Sequence, residues 1–304
     1  MSGYITGDPY WLANPNPSFL AALAAACLSQ AAFAQKAYAT PEDAADALVD
    51  AVARNDNEAV KVVLGGTYAR VLPVQQVNDE DVLSFLAGWA KSHGIARRDD
   101  RTAFLQIGET RWALPIPIVK RGNGWAFDPR GAEAEMRTRR IGRNELDAIK
   151  VALAYTDAQE DYYRADPDRD GVKSFAMRVL SSPGRRDGLY WPTLEGEAPS
   201  PLGPLLALAA PGQSYKGYHF RILTAQGAAA PGGARTYVRD GRMTEGFALI
   251  AWPARYGDTG VMSFIVSRAG VVHEKDLGPR SDAIARATSA YDPNASWAPS
   301  KPGD

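Results

Sequence analysis

Residues 247–275 read FALIAWPARYGDTGVMSFIVSRAGVVHEK, and the folding of this run decides the architecture of the last third of the chain. Phe247 to Trp252 is apolar throughout, the pattern of a buried strand. Val261–Ser267 and Val271–Lys275 flank Arg268-Ala269-Gly270, which reads as a hairpin turn. Upstream, Tyr218-His219-Phe220-Arg221-Ile222 alternates with the period of a half-buried strand. Four strands in meander order need a helix to cover them. Gly142–Tyr163 is the candidate, started by Arg143 or Asn144, with Leu146, Ile149, Leu153 and Thr156 on one predicted face. One long helix on an antiparallel meander makes residues 142–291 an α+β unit.

A second α+β unit precedes it, over residues 36–141. Thr40-Pro41-Glu42-Asp43 carries a cap, a first-turn proline and first-turn acids, and Ala45, Leu48, Val49 and Val52 follow as one apolar face. Asn55-Asp56-Asn57 breaks that helix. A short helix over Glu58–Leu64 stops at Gly65-Gly66, and a third spans Asp79–Ser92 with Val82, Phe85, Leu86 and Trp89 inward. Thr102–Ile107 is then the first expected strand. Arg111–Lys120 alternates Trp112, Leu114, Ile116 and Ile118 against Pro115 and Pro117, so it belongs at an edge or carries a bulge. Arg121–Gly124 turns the chain and Trp125–Asp128 pairs back. Helices followed by such a meander resemble NTF2-like, cone-shaped domains.

The ends and the compartment follow from composition. Phe19–Leu28 reads FLAALAAACL, about the length of a secretory apolar core and too short to span a bilayer. Ala32-Phe33-Ala34 then offers a small-x-small cleavage site, so residues 1–34 read as a signal peptide cut after Ala34. Residues 1–18 depart from that pattern in holding no Lys or Arg. The sole cysteine, Cys27, lies inside this leader, and Leu23–Cys27 also resembles a lipidation site. Cleavage would leave a chain without thiol chemistry or disulfides, periplasmic or extracellular, with no transmembrane segment. Nothing in the net charge of -1 suggests a nucleic-acid binder, which concentrates positive charge, and none is expected as a partner. Residues 183–212 hold six prolines in a long loop, and residues 292–304 are expected to be a loose tail.

Several runs carry a family resemblance: RRIGRNELDAI (139–149), SSPGRRDGLYWP (181–192), SPLGPL (200–205), GYHFRILTAQG (217–227), FALIAWPARYGDTGVMSF (247–264) and GVVHEKDLGP (270–279). Across about residues 36–297 the chain resembles the bacterial family known as domain of unknown function 2950. That resemblance implies a secreted or periplasmic protein with no assigned activity. The second unit is also similar to the globular heads of type IV pilins and pseudopilins. The order that carries this is Ala158-Gln159 near a helix end, a Pro/Gly-rich loop, Gly217–Phe220, Ala251-Trp252-Pro253, Gly260, Phe264 and Gly270–Val272. Arg143, Glu145, Asp147 and Lys150 make the preceding helix too polar for a filament core, so this would be a head without its stalk.

Candidate sites cluster in Asp166–Pro192, DPDRDGVKSFAMRVLSSPGRRDGLYWP. Asp166, Asp168, Asp170 and Gly171 match the opening of a calcium loop, where alternate positions converge hard oxygens. Met177 occupies the twelfth position, where a glutamate is needed, and Ser174 the ninth, so a distant carboxylate such as Asp187 would have to complete the shell. The alternative is a solvated Asx-turn. Calcium is the one cofactor the sequence raises. Arg185, Arg186, Tyr190 and Trp191 form a ligand-binding candidate, with the rings stacking on a sugar or peptide and the arginines taking a carboxylate. The alternative is that the rings anchor the loop and Arg185 or Arg186 pairs with Asp187. Glu195 and Glu197 would lie ~7 Å apart on one side of an extended chain and could act as acid and base.

His93, His219 and His273 lack zinc spacing, although the two on predicted strands could approach each other. Arg137, Arg139, Arg140 and Arg143 could meet an acidic lipid or polymer, or pair with Glu133 and Glu135. No catalytic constellation emerges. The expectation is a non-enzymatic binding or structural protein of the bacterial envelope, meeting an envelope protein or extracellular polymer through the aromatic loop or a strand edge. The alternative is a hydrolase or small-ligand protein using Glu195 and Glu197, or a pocket lined by Trp112, Trp125 and Phe127.

Overall fold

Thr40 sets the first helix. Its hydroxyl accepts from Asp43 N at 3.0 Å, and the Asp43 carboxylate accepts from Thr40 N at 3.1 Å, so two orphan donors are satisfied reciprocally. In this computed structural model, which describes residues 35–70, 79–167, 171–193, 196, 199–203 and 213–300, α1 runs Pro41–Ala53. Its buried face holds Ala44, Ala45, Leu48, Val49 and Ala51. The leader, Cys27, Asp168, Asp170, Glu195 and Glu197 lie outside the described residues. Asn55 takes a φ of 53° and ends α1; Asp56 then caps α2 (Asn57–Leu64) by accepting from Ala59 N at 2.9 Å. The third helix, α3, spans Asp79–Lys91.

The chain divides into two units, one ending at Met136 and the other beginning at Arg137. The first has five antiparallel strands: β1 (His93–Asp99), β2 (Thr102–Ile107), β3 (Trp112–Ala113), β4 (Ile118–Arg121) and β5 (Gly124–Phe127). The order is β1-β2-β4-β5, with β3 also on β2. Strand β1 was not expected. Its sequence, HGIARRD, is polar because it is an edge strand with no residue fully buried, and edge charges are how sheets resist further pairing. The two prolines split the anticipated 111–120 strand into β3 and β4. Ile116 and Ile118 reach the core while Trp112 stays 48% exposed, against the expectation that it faces inward.

Next comes α4 (Pro129–Ala165), which begins thirteen residues before the expected start at Gly142. In the second unit β6 (Tyr218–Leu223), β11 (Ala248–Pro253), β12 (Met262–Ser267), β13 (His273–Asp276) and β14 (Ala298–Pro299) form a five-stranded antiparallel sheet in the order β14-β13-β12-β11-β6. Two small hairpins, β7 (Ala225–Gln226) with β8 (Arg235–Thr236) and β9 (Val238–Arg239) with β10 (Arg242–Met243), fill the β6–β11 connection. The apolar β11 is buried at every position, as its sequence requires. The tail corrects its expectation: β14 pairs with β13, and Ser300 N donates to Val272 O at 2.8 Å.

The covering face of α4 differs in part. Thr156 is buried and Ile149 packs against the core as expected, but Leu146 and Leu153 are 44% and 41% exposed, and the buried stripe is Ala148, Val151, Ala152, Tyr155, Thr156, Ala158, Gln159 and Tyr162. Small residues let the helix axis approach the sheet closely, which the larger aliphatic face would prevent. A last helix, α5 (Ser281–Ala287), packs on β11, where Trp252 Nε1 donates to Asp282 at 2.9 Å.

Candidate functional site

In the first unit, α1, α2 and α3 leave a cleft of about 290 Å³ above the sheet. Leu48, Val52, Val60, Leu64, Phe85 and Leu114 make it apolar. Asn55, Asp56, Asn57 and Asp81 add the polar groups, and no Lys or Arg stands among its described lining residues. The cleft exists because α3 buries none of its residues, so Phe85 is only half-covered. It is not the pocket expected from sequence. Trp125 and Phe127 are packed into the core, and Trp112 points out.

In the second unit the 178–191 loop is a tight double crossing. Tyr190 N donates to Val179 O at 2.9 Å, and Ser181 N donates to Tyr190 O at 2.9 Å. Gly188 sits at the crossing, where an added Cβ would meet Leu180 C and Ser181 N at 2.7 Å. Asp187 accepts from Ser182 N at 2.7 Å and Ser182 Oγ at 2.9 Å, with Arg178 at 3.7 Å. Burial pushes its carboxyl up, but the Ser182 bonds and Arg178 outweigh this, and its pKa ends below the usual value. Asp187 is therefore committed within its own loop, to Arg178 rather than to Arg185 or Arg186.

Arg185 is exposed, Tyr190 is half-buried, and Trp191 is only 7% exposed. The Arg186 guanidinium lies 5.4 Å from the Trp191 ring centroid, and its carbonyl accepts from Tyr162 Oη at 2.9 Å. Trp191 therefore anchors the loop; its face is not offered to a ligand. Its indole Nε1 is buried without a hydrogen-bond partner. Asp166 ends α4 with a φ of 45° and has one buried, unpartnered carboxylate oxygen. Among the described residues no three acidic, His or Cys side chains form a metal cluster.

The remaining candidates separate. His219 on β6 and His273 on β13 stand three strands apart, roughly 14 Å at ordinary strand spacing, and do not meet. His93 stacks on Trp89 at 3.7 Å and bonds its carbonyl through Nδ1 at 2.8 Å. Glu135 and Arg140 reach partners outside the helix: Glu135 takes Arg98, and Arg140 takes Asp258.

Sequence reasoning missed three polar pins. Glu145 accepts from Val261 N at 2.9 Å and Met262 N at 3.0 Å. Asn144, expected as a helix start, donates to Thr259 O at 2.9 Å. Gln159, 0% exposed, accepts from Ala176 N and donates to Ala176 O, both at 2.8 Å, and donates to Tyr155 Oη at 2.9 Å. Burial holds the Tyr155 phenol far above its ordinary pKa, so it stays neutral and donates to Ala248 O at 3.2 Å. The signal was available: a glutamine amid alanines and tyrosines on a buried stripe must find partners.

Fold and cavities define a two-unit α+β protein in which no helix among the described residues is long and apolar enough to cross a membrane. A family model described as Protein of unknown function (DUF2950) matches residues 35–299, and the chain belongs to that family. Comparison with curated proteins found no match, and comparison with solved structures found none.

Proposed function

We propose that this is a secreted or periplasmic, non-enzymatic binding protein of the bacterial envelope, and that the first-unit cleft receives a small, largely apolar ligand. The carrying observation is the lining itself: apolar walls on three helices, with a few polar groups grouped at α1–α2 and at Asp81. The sign of charge narrows the ligand. With Asp56 present and no basic residue among the described lining residues, a neutral or cationic polar end suits the cleft better than a fatty carboxylate or phosphate. The apolar run before Ala32-Phe33-Ala34 supports the compartment. Helices followed by a meander in the first unit support its reading as an NTF2-like cone. One long helix on a meander sheet supports reading the second as a pilin-like head without a stalk.

The test is fluorescence titration with neutral N-phenyl-1-naphthylamine, displaced by a long-chain alcohol and by the matching fatty acid. The expected result is saturable binding, displaced by the alcohol far better than by the acid, and lost in Val52→Trp, which fills the cleft. Failure of the native protein to bind the dye, or undiminished binding in Val52→Trp, overturns the reading.

A further inference from the structure

A second cavity of the first unit, of about 230 Å³, opens where the end of α3 meets β1 and β2, and it shares no lining residue with the apolar cleft. Its wall is mostly polar and includes Ser92, His93, Gln106 and Arg111. Arg111 is its one permanently charged side chain, and no Asp or Glu stands among its described lining residues. We infer that this cavity takes a phosphate group, free or as a monoester, held by the Arg111 guanidinium with Ser92, Gln106 and His93 around it.

The Arg111 guanidinium has no ion pair or hydrogen bond among the described residues, and neither do the Ser92 hydroxyl and the Gln106 side-chain amide. A cation and two neutral donors on one acid-free wall call for an anion. Donors from three side chains suit the larger oxygen set of a phosphate better than the two oxygens of a carboxylate. His93 then selects among oxyanions. Trp89 O can only accept, so the His93 Nδ1 that meets it at 2.8 Å carries the proton, and in the neutral ring Nε2 is an acceptor. Stacking on Trp89 at 3.7 Å fixes the ring. Hydrogen phosphate has an O–H that this nitrogen can accept; sulfate has none. The opposing charges nearby are already answered. At the carbonyl end of α3, Gly88 O takes Ser92 N at 3.1 Å and Gly108 N at 3.2 Å, and Ser92 O takes Gly108 N at 2.8 Å. Glu109 pairs with Lys91 at 3.0 Å. Arg111 also holds a φ of 52°, a left-handed conformation that glycine takes more easily, with its N donating to Gly108 O at 3.0 Å. An arginine there sets a long cation on the cavity wall at a backbone cost, the pattern of a functional position.

The test is calorimetry on the full chain at fixed ionic strength, with sodium phosphate, glycerol phosphate, sulfate, acetate and chloride as probes. The inference expects saturable binding of phosphate, weaker binding of sulfate, and none of acetate or chloride. R111G should weaken phosphate binding by about tenfold with little change in melting temperature, because glycine accepts the left-handed turn. A merely structural arginine would do the reverse, lowering the melting temperature and leaving the affinity alone. Tighter binding of glycerol phosphate than of phosphate assigns the group to a monoester; the converse assigns it to the free ion. Val52→Trp, which fills the apolar cleft, should bind phosphate as the native protein does, so this inference and the proposed function fail separately. No saturable heat with phosphate, an equal response to sulfate or chloride, or unchanged affinity in R111G overturns the inference. Should R111G fail to fold, the affinity of R111Q decides the matter by the same loss.

Discussion

The two helical layers of this protein meet their sheets differently. In the first unit α3 buries no residue, and an apolar cleft stays open beside it. In the second, α4 packs through a stripe of alanines; Tyr155 bonds the sheet at Ala248, and Gln159 and Tyr162 bond the loop that follows the helix at Ala176 and Arg186. The difference teaches where each unit places its apolar surface. A packed layer turns that surface into stability; an open one leaves it exposed as a cleft.

The comparison is broken most severely at Gln159. Gln159→Leu keeps the volume but strands the N–H and C=O of Ala176, and should cost about 3 kcal/mol in chemical denaturation. A cost under about 1 kcal/mol would mean the seating of the Ala176 segment on α4 does not depend on that pin. Next comes Glu145, which holds two strand-entry amides. Glu145→Ala should cost about 2 kcal/mol, and Glu145→Gln, which keeps a carbonyl acceptor, about half as much. On the open side, Phe85→Ala should cost only about 1 kcal/mol because the ring is half-covered, yet weaken dye binding in the cleft strongly. A large stability loss there would mean the cleft is packed core.

Smaller effects sharpen the picture. Asp187 has a folded pKa below its unfolded value, so its ionised form stabilises the fold above that value, and the contribution is lost as pH falls through the folded pKa. Native protein and Asp187→Asn should therefore converge in stability as pH drops from about 5 towards 3, read by melting temperature against pH. Convergence on raising pH instead would reverse the assignment. Smallest of all, calcium and EDTA should give the same melting temperature, with Asp166 acting as a helix terminus. A rise with calcium would make the run from Asp166 to Gly171 a metal loop.

Much of the second sheet was legible. Its strands announce themselves because β11 is buried on both faces and reads as one apolar run, and Arg268-Ala269-Gly270 closes the next hairpin. Strand β1 was illegible for the converse reason: an edge strand rich in arginine has neither alternation nor apolar content. The face of α4 was misjudged because its leucines advertise burial while its alanines do the packing. Trp112 was misplaced because alternation cannot say where a proline-broken strand leaves its sheet. Of the candidate site, Arg186 and Trp191 were legible as a pair on an aromatic loop, but not that Trp191 is an anchor with a spare N–H.

By itself the sequence determined the α+β class, the family, the cap at Thr40 and the buried strand near Phe247–Trp252, since these rest on local patterns and motifs along the chain. Tertiary structure decided which stripe of α4 faces inward, what Glu145 and Gln159 hold, and where the two cavities lie. Those depend on groups from 17 to 117 residues away along the chain, and no local pattern encodes how closely two surfaces approach or what they leave unfilled.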